Sequence, residues 1–256
     1  MNAAARLAFA LLLAAGGALA QTQQAPVFEP TFGQEGKDVV WVPTSEALVE
    51  KMLDMARVEP SDYVIDLGSG DGRTVIAAAK RGARAKGIEY DPDMVALSRL
   101  NAKRAGVAAR ASFVKQDLFE SDFSEATVIT LFLLPSINVR LRPKLLELKP
   151  GTRIVTNTFG MDEWLPDESA TLAPATGCDS WCNAHLWIVP AKVAGRHALP
   201  IGELELKQTF QMLSGTLRAG GTNYALEGRV RGDEVTFRAG GKEYRGRMSG
   251  GRLALR

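Results

Sequence analysis

Short apolar runs alternate with amphipathic, helix-like segments through the first three quarters of the chain. Runs predicted as strands cover residues 64–67, 83–90, 111–115, 128–134 and 152–159, and helix-like segments cover residues 46–57, 72–81, 91–106 and 135–148. Alternation of this kind predicts an α/β fold with a mainly parallel sheet, helices on both faces and a ligand crevice at the carboxyl ends of the strands. Segments near 170–172 and 186–189 are expected to close the sheet as a strand pair.

The pattern changes after about residue 199, where apolar and polar residues alternate between glycine turns. Runs at 204–210, 214–217, 224–228, 234–237 and 244–247 predict an antiparallel β meander. Such short strands are marginal alone, so we expect them to pack on the α/β domain or on a partner. We assign residues 39–194 to the α/β domain and 195–256 to a small β domain, interpreted as a structural or docking appendage. A half-barrel for a lipid or sugar is the alternative.

The N-terminus has the features of an export signal. Arg6 precedes an apolar run at residues 7–15, and Ala18-Leu19-Ala20 resembles a cleavage site. The apolar run is shorter than the roughly 20 residues of a spanning helix. We therefore predict a signal peptide over 1–20, a polar tether over 21–38 and a periplasmic or secreted protein, with an uncleaved membrane anchor as the alternative.

The charge of the chain does not indicate a nucleic-acid partner. The 256 residues carry a net charge of +2. From Gly195 onward there are eleven Lys and Arg against six Asp and Glu, which gives +5 for this part and −3 for the rest. A basic β domain could meet an acidic surface, although charged strand faces commonly serve solubility.

Cys178 and Cys182 are the chain's two cysteines. In an exported protein this spacing favours a local disulfide that fixes a loop. Free thiols are the alternative in a reducing compartment. A metal site would need further ligands, and His185 is the nearest candidate in sequence, so we predict no metal.

The candidate chemistry begins where the first strand ends, at Asp66-Leu67-Gly68-Ser69-Gly70-Asp71-Gly72. Three alternate glycines allow positive φ and a close approach of the backbone to a ligand. A dinucleotide fingerprint would need a small residue where Arg73 stands, and a P-loop would need Gly-Lys-Ser/Thr. The two carboxylates suit a ligand with a cationic end, and Asp71 is expected to cap the following helix. A purely structural glycine turn is the remaining alternative.

Two further acids stand at the ends of the next two strands. Glu89 stands 21 residues after Gly68, near the spacing at which a second-strand carboxylate reaches ribose hydroxyls, and Tyr90 follows it. Asp117 and Leu118 follow the third strand. Acids at three successive strand ends predict one binding site along that edge of the sheet.

The D-x-G-x-G-x-G loop resembles that of class I S-adenosylmethionine (SAM) methyltransferases. This resemblance implies SAM as cofactor and a site formed by Asp66, Gly68, Ser69, Gly70, Glu89, Tyr90, Asp117 and Leu118. It also implies that the acid at Asp117 faces the adenine amino group.

Residues 42–164 resemble more closely the lysine N-methyltransferases that act on the ATP synthase c subunit and the adenine nucleotide translocase. The matching motifs are Val42-Pro43-Thr44, the glycine loop with Arg73, Leu97-Ser98-Arg99, Asp117-Leu118-Phe119 and Leu131-Phe132-Leu133-Leu134-Pro135. The resemblance implies transfer to a protein lysine or small amine, with Pro43-Thr44 and Leu134-Pro135 near the acceptor channel. The segment 158–164 follows the family only loosely, and the β meander lies outside its core.

The acceptor-orienting residue is not identified by spacing. Glu46 and Asn157 are candidates, but each is also typical of a helix start or a strand end. An exported SAM-fold binding protein without transferase activity and a small-molecule methyltransferase are the alternatives. The first alternative arises because SAM is made in the cytoplasm, whereas the N-terminal segment predicts export.

Overall fold

The computed structural model describes residues 28–256. The predicted signal peptide, residues 1–20, and the first part of the predicted tether lie outside the described residues. Within residues 28–256, no helix has both the length and the apolar character needed to cross a membrane.

The first sheet and its helices form the predicted α/β domain. Its strands are β1 Tyr63–Leu67, β2 Arg84–Glu89, β3 Ala111–Lys115, β4 Val128–Leu131, β5 Arg153–Asn157, β6 Glu168–Thr171 and β7 Asn183–Ile188. Its helices are α1 Glu46–Met55, α2 Arg73–Lys80, α3 Pro92–Arg104 and α4 Pro135–Leu145. The strand order is β3-β2-β1-β4-β5-β7-β6, with β1 to β5 parallel and β7 antiparallel to both neighbours.

Burial on both faces of the sheet explains the apolar strands. In β1, Val64 joins the cluster beneath α1, α2 and α3, whereas its neighbour Ile65 joins the cluster beneath α4. Successive side chains of a strand point to opposite faces, so a strand covered on both sides needs apolar residues at consecutive positions. All four residues of β4 are buried for the same reason.

Several predicted boundaries were wrong for local reasons. The strand predicted over 128–134 ends at Leu131, because Leu134 and Pro135 already begin α4. That helix is continuous through Pro143 and ends at Leu145 rather than 148. Asp71 is not the N-cap of α2: Gly72 holds that position, and the Asp71 carboxylate accepts the Arg73 N–H at 3.2 Å.

The second sheet is the predicted meander, with seven strands. They are β8 Gly195–Leu199, β9 Gly202–Thr209, β10 Met212–Ala219, β11 Thr222–Arg231, β12 Glu234–Ala239, β13 Lys242–Ser249 and β14 Arg252–Leu255. Each strand pairs antiparallel with the next. Two-residue Gly-Gly loops join β10 to β11, β12 to β13 and β13 to β14, and both glycines of each loop have positive φ, as tight hairpins require.

The meander packs on the α/β domain, as expected for strands that are marginal alone. The Phe210 ring stacks on fully buried Trp164, with ring centroids 6.0 Å apart. Gln211 Nε2 donates to the Leu165 carbonyl at 2.7 Å, and the Ala191 N–H donates to the Gly232 carbonyl at 2.7 Å. The two sheets are therefore connected by apolar stacking and by hydrogen bonds to backbone carbonyls.

Two arginines of β11 complete this contact and differ in the burial of their partners. Arg229 pairs with Asp167, whose side chain is 2% exposed, and Arg231 pairs with Glu168, which is 47% exposed. Removing Arg229 leaves the buried carboxylate of Asp167 without its cation. Removing Arg231 leaves the carboxylate of Glu168, which is exposed and binds water instead. We predict that Arg229→Ala lowers the free energy of unfolding by about 1–3 kcal/mol and Arg231→Ala by less than about 1 kcal/mol. Denaturant unfolding measures both, and equal losses would contradict this view of the contact.

Candidate functional site

The glycine loop closes on the end of β2. Gly68, Gly70 and Gly72 have φ values of +78°, +52° and +86°. The N–H groups of Gly68 and Ser69 donate to the Ile88 carbonyl at 2.9 and 3.1 Å. An added Cβ at Gly70 would lie 2.7 Å from Trp41 Nε1, so the absence of a side chain is needed here both for the turn and for space.

Glu89 holds this loop through its carboxylate. One oxygen, Oε2, accepts the Gly70 N–H at 2.8 Å, and the other, Oε1, accepts the N–H groups of Tyr90 and Asp91 at 2.8 and 3.0 Å. The remaining lone pairs stay available to hydroxyl donors. Glu89 therefore fixes the cavity wall and also presents a hydrogen-bond acceptor beside it.

Helix α3 supports the loop from behind. Ser98 Oγ donates to the Gly70 carbonyl at 2.7 Å, and Asn101 Nδ2 donates to the Asp71 carbonyl at 3.0 Å. Arg99 Nη2 donates to the Phe113 carbonyl of β3 at 2.8 Å. Ser98 of the Leu97-Ser98-Arg99 motif therefore supports the loop and Arg99 supports β3, and none of the three residues lines the cavity described below.

Asp66 is a buried carboxyl at the end of β1. It is 6% exposed, and its Oδ1 accepts the Thr130 hydroxyl at 2.6 Å. Burial raises the pKa of Asp66 to about 7; the Thr130 hydrogen bond opposes this rise, and the nearby Glu89 and Asp71 carboxylates add to it. A cationic ligand would restore its ionised form.

Arg73 connects the loop to the segment before α1. Its Nη2 pairs with Asp71 Oδ2 at 2.6 Å, and its Nη1 donates to the Thr44 carbonyl at 2.7 Å. Arg73, the residue that argued against a dinucleotide fingerprint, therefore links the glycine loop to Thr44 and holds Pro43-Thr44 beside the loop.

The end of the predicted tether lies along the cavity rather than apart from it. Lys37 pairs with Asp117 Oδ2 and lies 4.6 Å from the centroid of the Tyr90 ring. The hydrogen bond from Lys37, with a second from the Phe119 N–H, holds the pKa of Asp117 below its usual value. Trp41 packs against Gly70, so residues 34–41 form one wall of the cavity.

A strained bend follows β5 on the other side of β1. Asn157 is 1% exposed and donates through Nδ2 to Thr44 Oγ1 at 3.1 Å, and its Oδ1 has no hydrogen-bond partner within residues 28–256. Thr158 has φ +58°, a rare conformation for a β-branched residue, and this bend directs Phe159 into the cavity wall. The strand predicted to reach 159 ends at Asn157 for this reason.

One cavity of about 550 Å³ joins these groups. All eight predicted site residues line it: Asp66, Gly68, Ser69, Gly70, Glu89, Tyr90, Asp117 and Leu118. Thr44, Pro43 and Leu134 line it as well, whereas Glu46 is exposed in the first turn of α1 and does not. Lys37, Trp41 and Trp181 also line the cavity, and no sequence motif indicates them.

The cavity is rich in carboxylates. Among residues 28–256, seven carboxylates line it, against two cations, Lys37 and Arg73. The seven are Glu35, Asp38, Asp66, Asp71, Glu89, Asp91 and Asp117. Both cations are already paired with carboxylates of the set. Such a charge balance favours a cationic ligand and opposes phosphate.

Comparison with known proteins agrees with this site. The ANTKMT methyltransferase domain family matches residues 66–168. A protein-lysine N-methyltransferase of Saccharolobus islandicus is 47% identical over 133 residues, which cover 51% of this chain and 83% of that protein. Two mouse lysine N-methyltransferases, one for the ATP synthase c subunit and one for the adenine nucleotide translocase, are each 40% identical over 130 residues, 50% of this chain and 52% and 56% of theirs.

A solved structure gives the same fold. The crystal structure of an RNA methyltransferase from Salinibacter ruber, in complex with S-adenosyl-L-homocysteine (SAH), is 49% identical, with a TM-score of 0.55. The match covers 59% of this chain and 96% of that one.

The sheet order, the glycine loop and these relatives define a class I SAM-dependent methyltransferase. Within this class, the chain belongs to the family that contains the Saccharolobus protein-lysine N-methyltransferase and the ANTKMT methyltransferase domain. The chain spans about half the length of the two mouse relatives.

The residues present suit SAM on chemical grounds. The cofactor carries a sulfonium and an α-ammonium, and the cavity offers carboxylates, while both cations that line it within the described part of the chain are paired. Glu89 offers an acceptor for hydroxyl groups, and the side-chain-free loop leaves room beside it.

Asp66 provides a test through pH. The pKa of Asp66 is about 7 in the folded protein, against an ordinary value of 3.8. As the pH rises from about 4 to 7, Asp66 therefore ionises in the unfolded chain before it does in the fold, and the ligand-free fold loses stability. Asp66→Asn is therefore expected to stabilise the ligand-free protein at pH 8 but not at pH 4, and to weaken SAM binding about tenfold or more at pH 8. Thermal unfolding and calorimetry at both pH values check this; a variant that loses stability at pH 8 without losing affinity would contradict it.

Proposed function

We propose that this methyltransferase transfers the methyl group of SAM to an amine, and specifically to the side-chain nitrogen of a protein lysine. The observation that carries the proposal is the carboxylate-rich cavity, whose two cations are both paired. It suits a cationic cofactor together with an acceptor that arrives as a cation. The lysine-specific names of the relatives in Saccharolobus and mouse support the same acceptor.

The cofactor is proposed to lie along the β1, β2 and β3 ends of the sheet. Glu89 would accept hydrogen bonds from the ribose hydroxyls, and Asp117 and Leu118 would face the adenine. Asp66 and the loop from Gly68 to Gly70 would hold the amino-acid end. The support is that all these residues line one cavity and that their strands are adjacent.

The acceptor is proposed to enter on the β4 and β5 side. Thr44 lines the cavity there, and its hydroxyl already accepts the Asn157 amide N–H. A neutral amine could donate to the free lone pair of that hydroxyl, which would orient the nitrogen lone pair. Phe132 and Phe159 would desolvate a lysine ammonium there, and the positive sulfonium of bound SAM would repel it. Both effects lower the pKa of the ammonium against the opposite effect of the carboxylates, so its proton can leave to solvent before transfer.

The bound cofactor supplies the activated methyl group; the chain's own part is positioning. A bond forms between the amine nitrogen and the methyl carbon as the bond from carbon to sulfur breaks. No catalytic base is required at that moment, because the nitrogen has already lost its proton. Positioning of reactants can supply roughly 7–11 kcal/mol of the barrier.

An RNA acceptor is the second candidate, because the similar solved structure from Salinibacter ruber is that of an RNA methyltransferase. The charge of the cavity opposes it. Among residues 28–256, the carboxylates that line the cavity outnumber its cations seven to two, which would repel a phosphate backbone, and the chain as a whole has a net charge of only +2. We therefore favour a protein amine.

Transfer can be followed directly. Purified protein and methyl-deuterated SAM are incubated with cell extract from a strain that lacks the gene, and labelled species are identified by mass spectrometry. Deuterated methyl groups on lysine side chains are the expected result. Label found only in nuclease-sensitive material would contradict the proposal.

Thr44 gives the matched variants for this assay. Thr44→Val keeps the shape but loses the hydroxyl, so the methylation rate is expected to fall about tenfold or more, since misplacement of reactants is costly. SAH affinity should change little, and Thr44→Ser should keep most of the rate. Equal rates for the Val and Ser variants would exclude the proposed role of the hydroxyl.

We also propose that the protein is exported. The N-terminal pattern supports this, and so does the disulfide between Cys178 and Cys182, as predicted for an exported chain. An alkaline phosphatase fused after Asp38 should be active outside the cytoplasm. An inactive fusion with an intact N-terminal segment would place the domain with the cytoplasmic SAM supply and contradict export.

A further inference from the structure

The loop between β6 and β7 brings an aromatic side chain to the cavity from outside the cofactor motifs. Cys178 is 1% exposed and belongs to the apolar cluster beneath α1. Its disulfide to Cys182 closes the short loop that carries Trp181. Trp181 has φ +51°, which is rare for a bulky residue and which the closed loop holds in place.

Trp181 belongs to a group of four aromatic residues that we call the aromatic rim: Phe32, Phe132, Phe159 and Trp181. Ring centroids are 6.3 Å apart for Trp181 and Phe132, 6.3 Å for Trp181 and Phe32, and 6.0 Å for Phe132 and Phe159. All but Phe32 line the cavity. Phe32 is 63% exposed and Trp181 39% exposed, so the rim presents ring surface to solvent.

The sheet order places the rim away from the proposed cofactor groups. Glu89 is the last residue of β2 and Asp117 follows β3, whereas Phe132 and Phe159 follow β4 and β5. Since β1 lies between β2 and β4, the rim and the cofactor acids stand on opposite sides of the glycine loop. The rim therefore borders the part of the cavity left for the acceptor.

Aromatic faces attract organic cations and also bury aliphatic chains. A lysine side chain combines an aliphatic stem with a cationic end, so it can make both contacts. The carboxylates of the cavity also attract its charge. We propose that the aromatic rim is the acceptor subsite, that Trp181 is a specificity-determining residue for a lysine-like side chain, and that the disulfide positions Trp181 for this contact. This proposal rests on the proposed amine acceptor.

Binding without turnover tests the subsite separately from the reaction. The protein is saturated with SAH, and Nα-acetyl-lysine methylamide is titrated by ligand-observed NMR, beside the norleucine analogue, which has the stem but no ammonium. The wild type should bind the lysine probe more tightly than the norleucine probe. Trp181→Ala should weaken the lysine probe about fivefold to tenfold, and Trp181→Phe should restore most of the affinity.

Two controls separate recognition from stability. Tyr224→Ala removes a partly exposed aromatic ring of the meander and should leave probe binding unchanged. The double variant Cys178→Ser and Cys182→Ser keeps Trp181 but frees its loop, so probe affinity should fall while SAH affinity stays as in the wild type. Unchanged SAH affinity in every variant shows that the fold and the cofactor site are intact.

The outcomes are distinct from those of the transfer assay. Equal probe affinity in the wild type and Trp181→Ala, or no binding to the wild type, would overturn the subsite even if lysine methylation is observed. Equal affinity for the lysine and norleucine probes would overturn the claim that the rim recognises the lysine ammonium. Conversely, Trp181-dependent binding of the lysine probe without methyl transfer would support the subsite and contradict the proposed function.

Discussion

The site depends on the closure of the glycine loop onto the end of β2. Three hydrogen bonds make this closure: Gly68 and Ser69 donate to the Ile88 carbonyl, and Gly70 donates to the Glu89 carboxylate. Positive φ at Gly68 and Gly70 is what lets three successive N–H groups reach β2. Because α3 and Arg73 are anchored to the same loop, its position also fixes Thr44, which lies on the proposed acceptor side.

A second constraint is the concentration of negative charge around the cavity. A buried carboxyl at Asp66, with Glu89 and Asp71 nearby, is unfavourable for the empty fold, as the raised pKa of Asp66 shows. A protein selected for stability alone would not keep this group. A cationic cofactor offsets the charge, so the feature that weakens the empty protein favours the bound one. The same physics supports the proposed amine acceptor over a phosphate-bearing one.

Much of the fold and of the cofactor side could be predicted from the sequence, because both depend on local patterns. Apolar strands, glycine spacing and acids after successive strands place Asp66, Glu89 and Asp117 at one edge of a parallel sheet. The acceptor side could not be predicted in this way. Trp181 reaches the cavity through a disulfide loop, and Asn157 meets Thr44 across 113 positions of sequence, so neither contact has a periodic or spacing signal. The predicted end of β5 was wrong because the bend at Thr158 stops the strand at Asn157, although the residues that follow favour a strand.

The central claim is that one cavity is shared between a cofactor on the β1 to β3 side and an acceptor amine on the β4 and β5 side. A crystal structure of the SAH complex tests it most directly. The account predicts the ribose on Glu89, the adenine beside Asp117 and Leu118, and the sulfur directed toward Thr44 and Phe132. An SAH molecule bound in the reverse direction, or with its sulfur turned away from Thr44 and the aromatic rim, would contradict it.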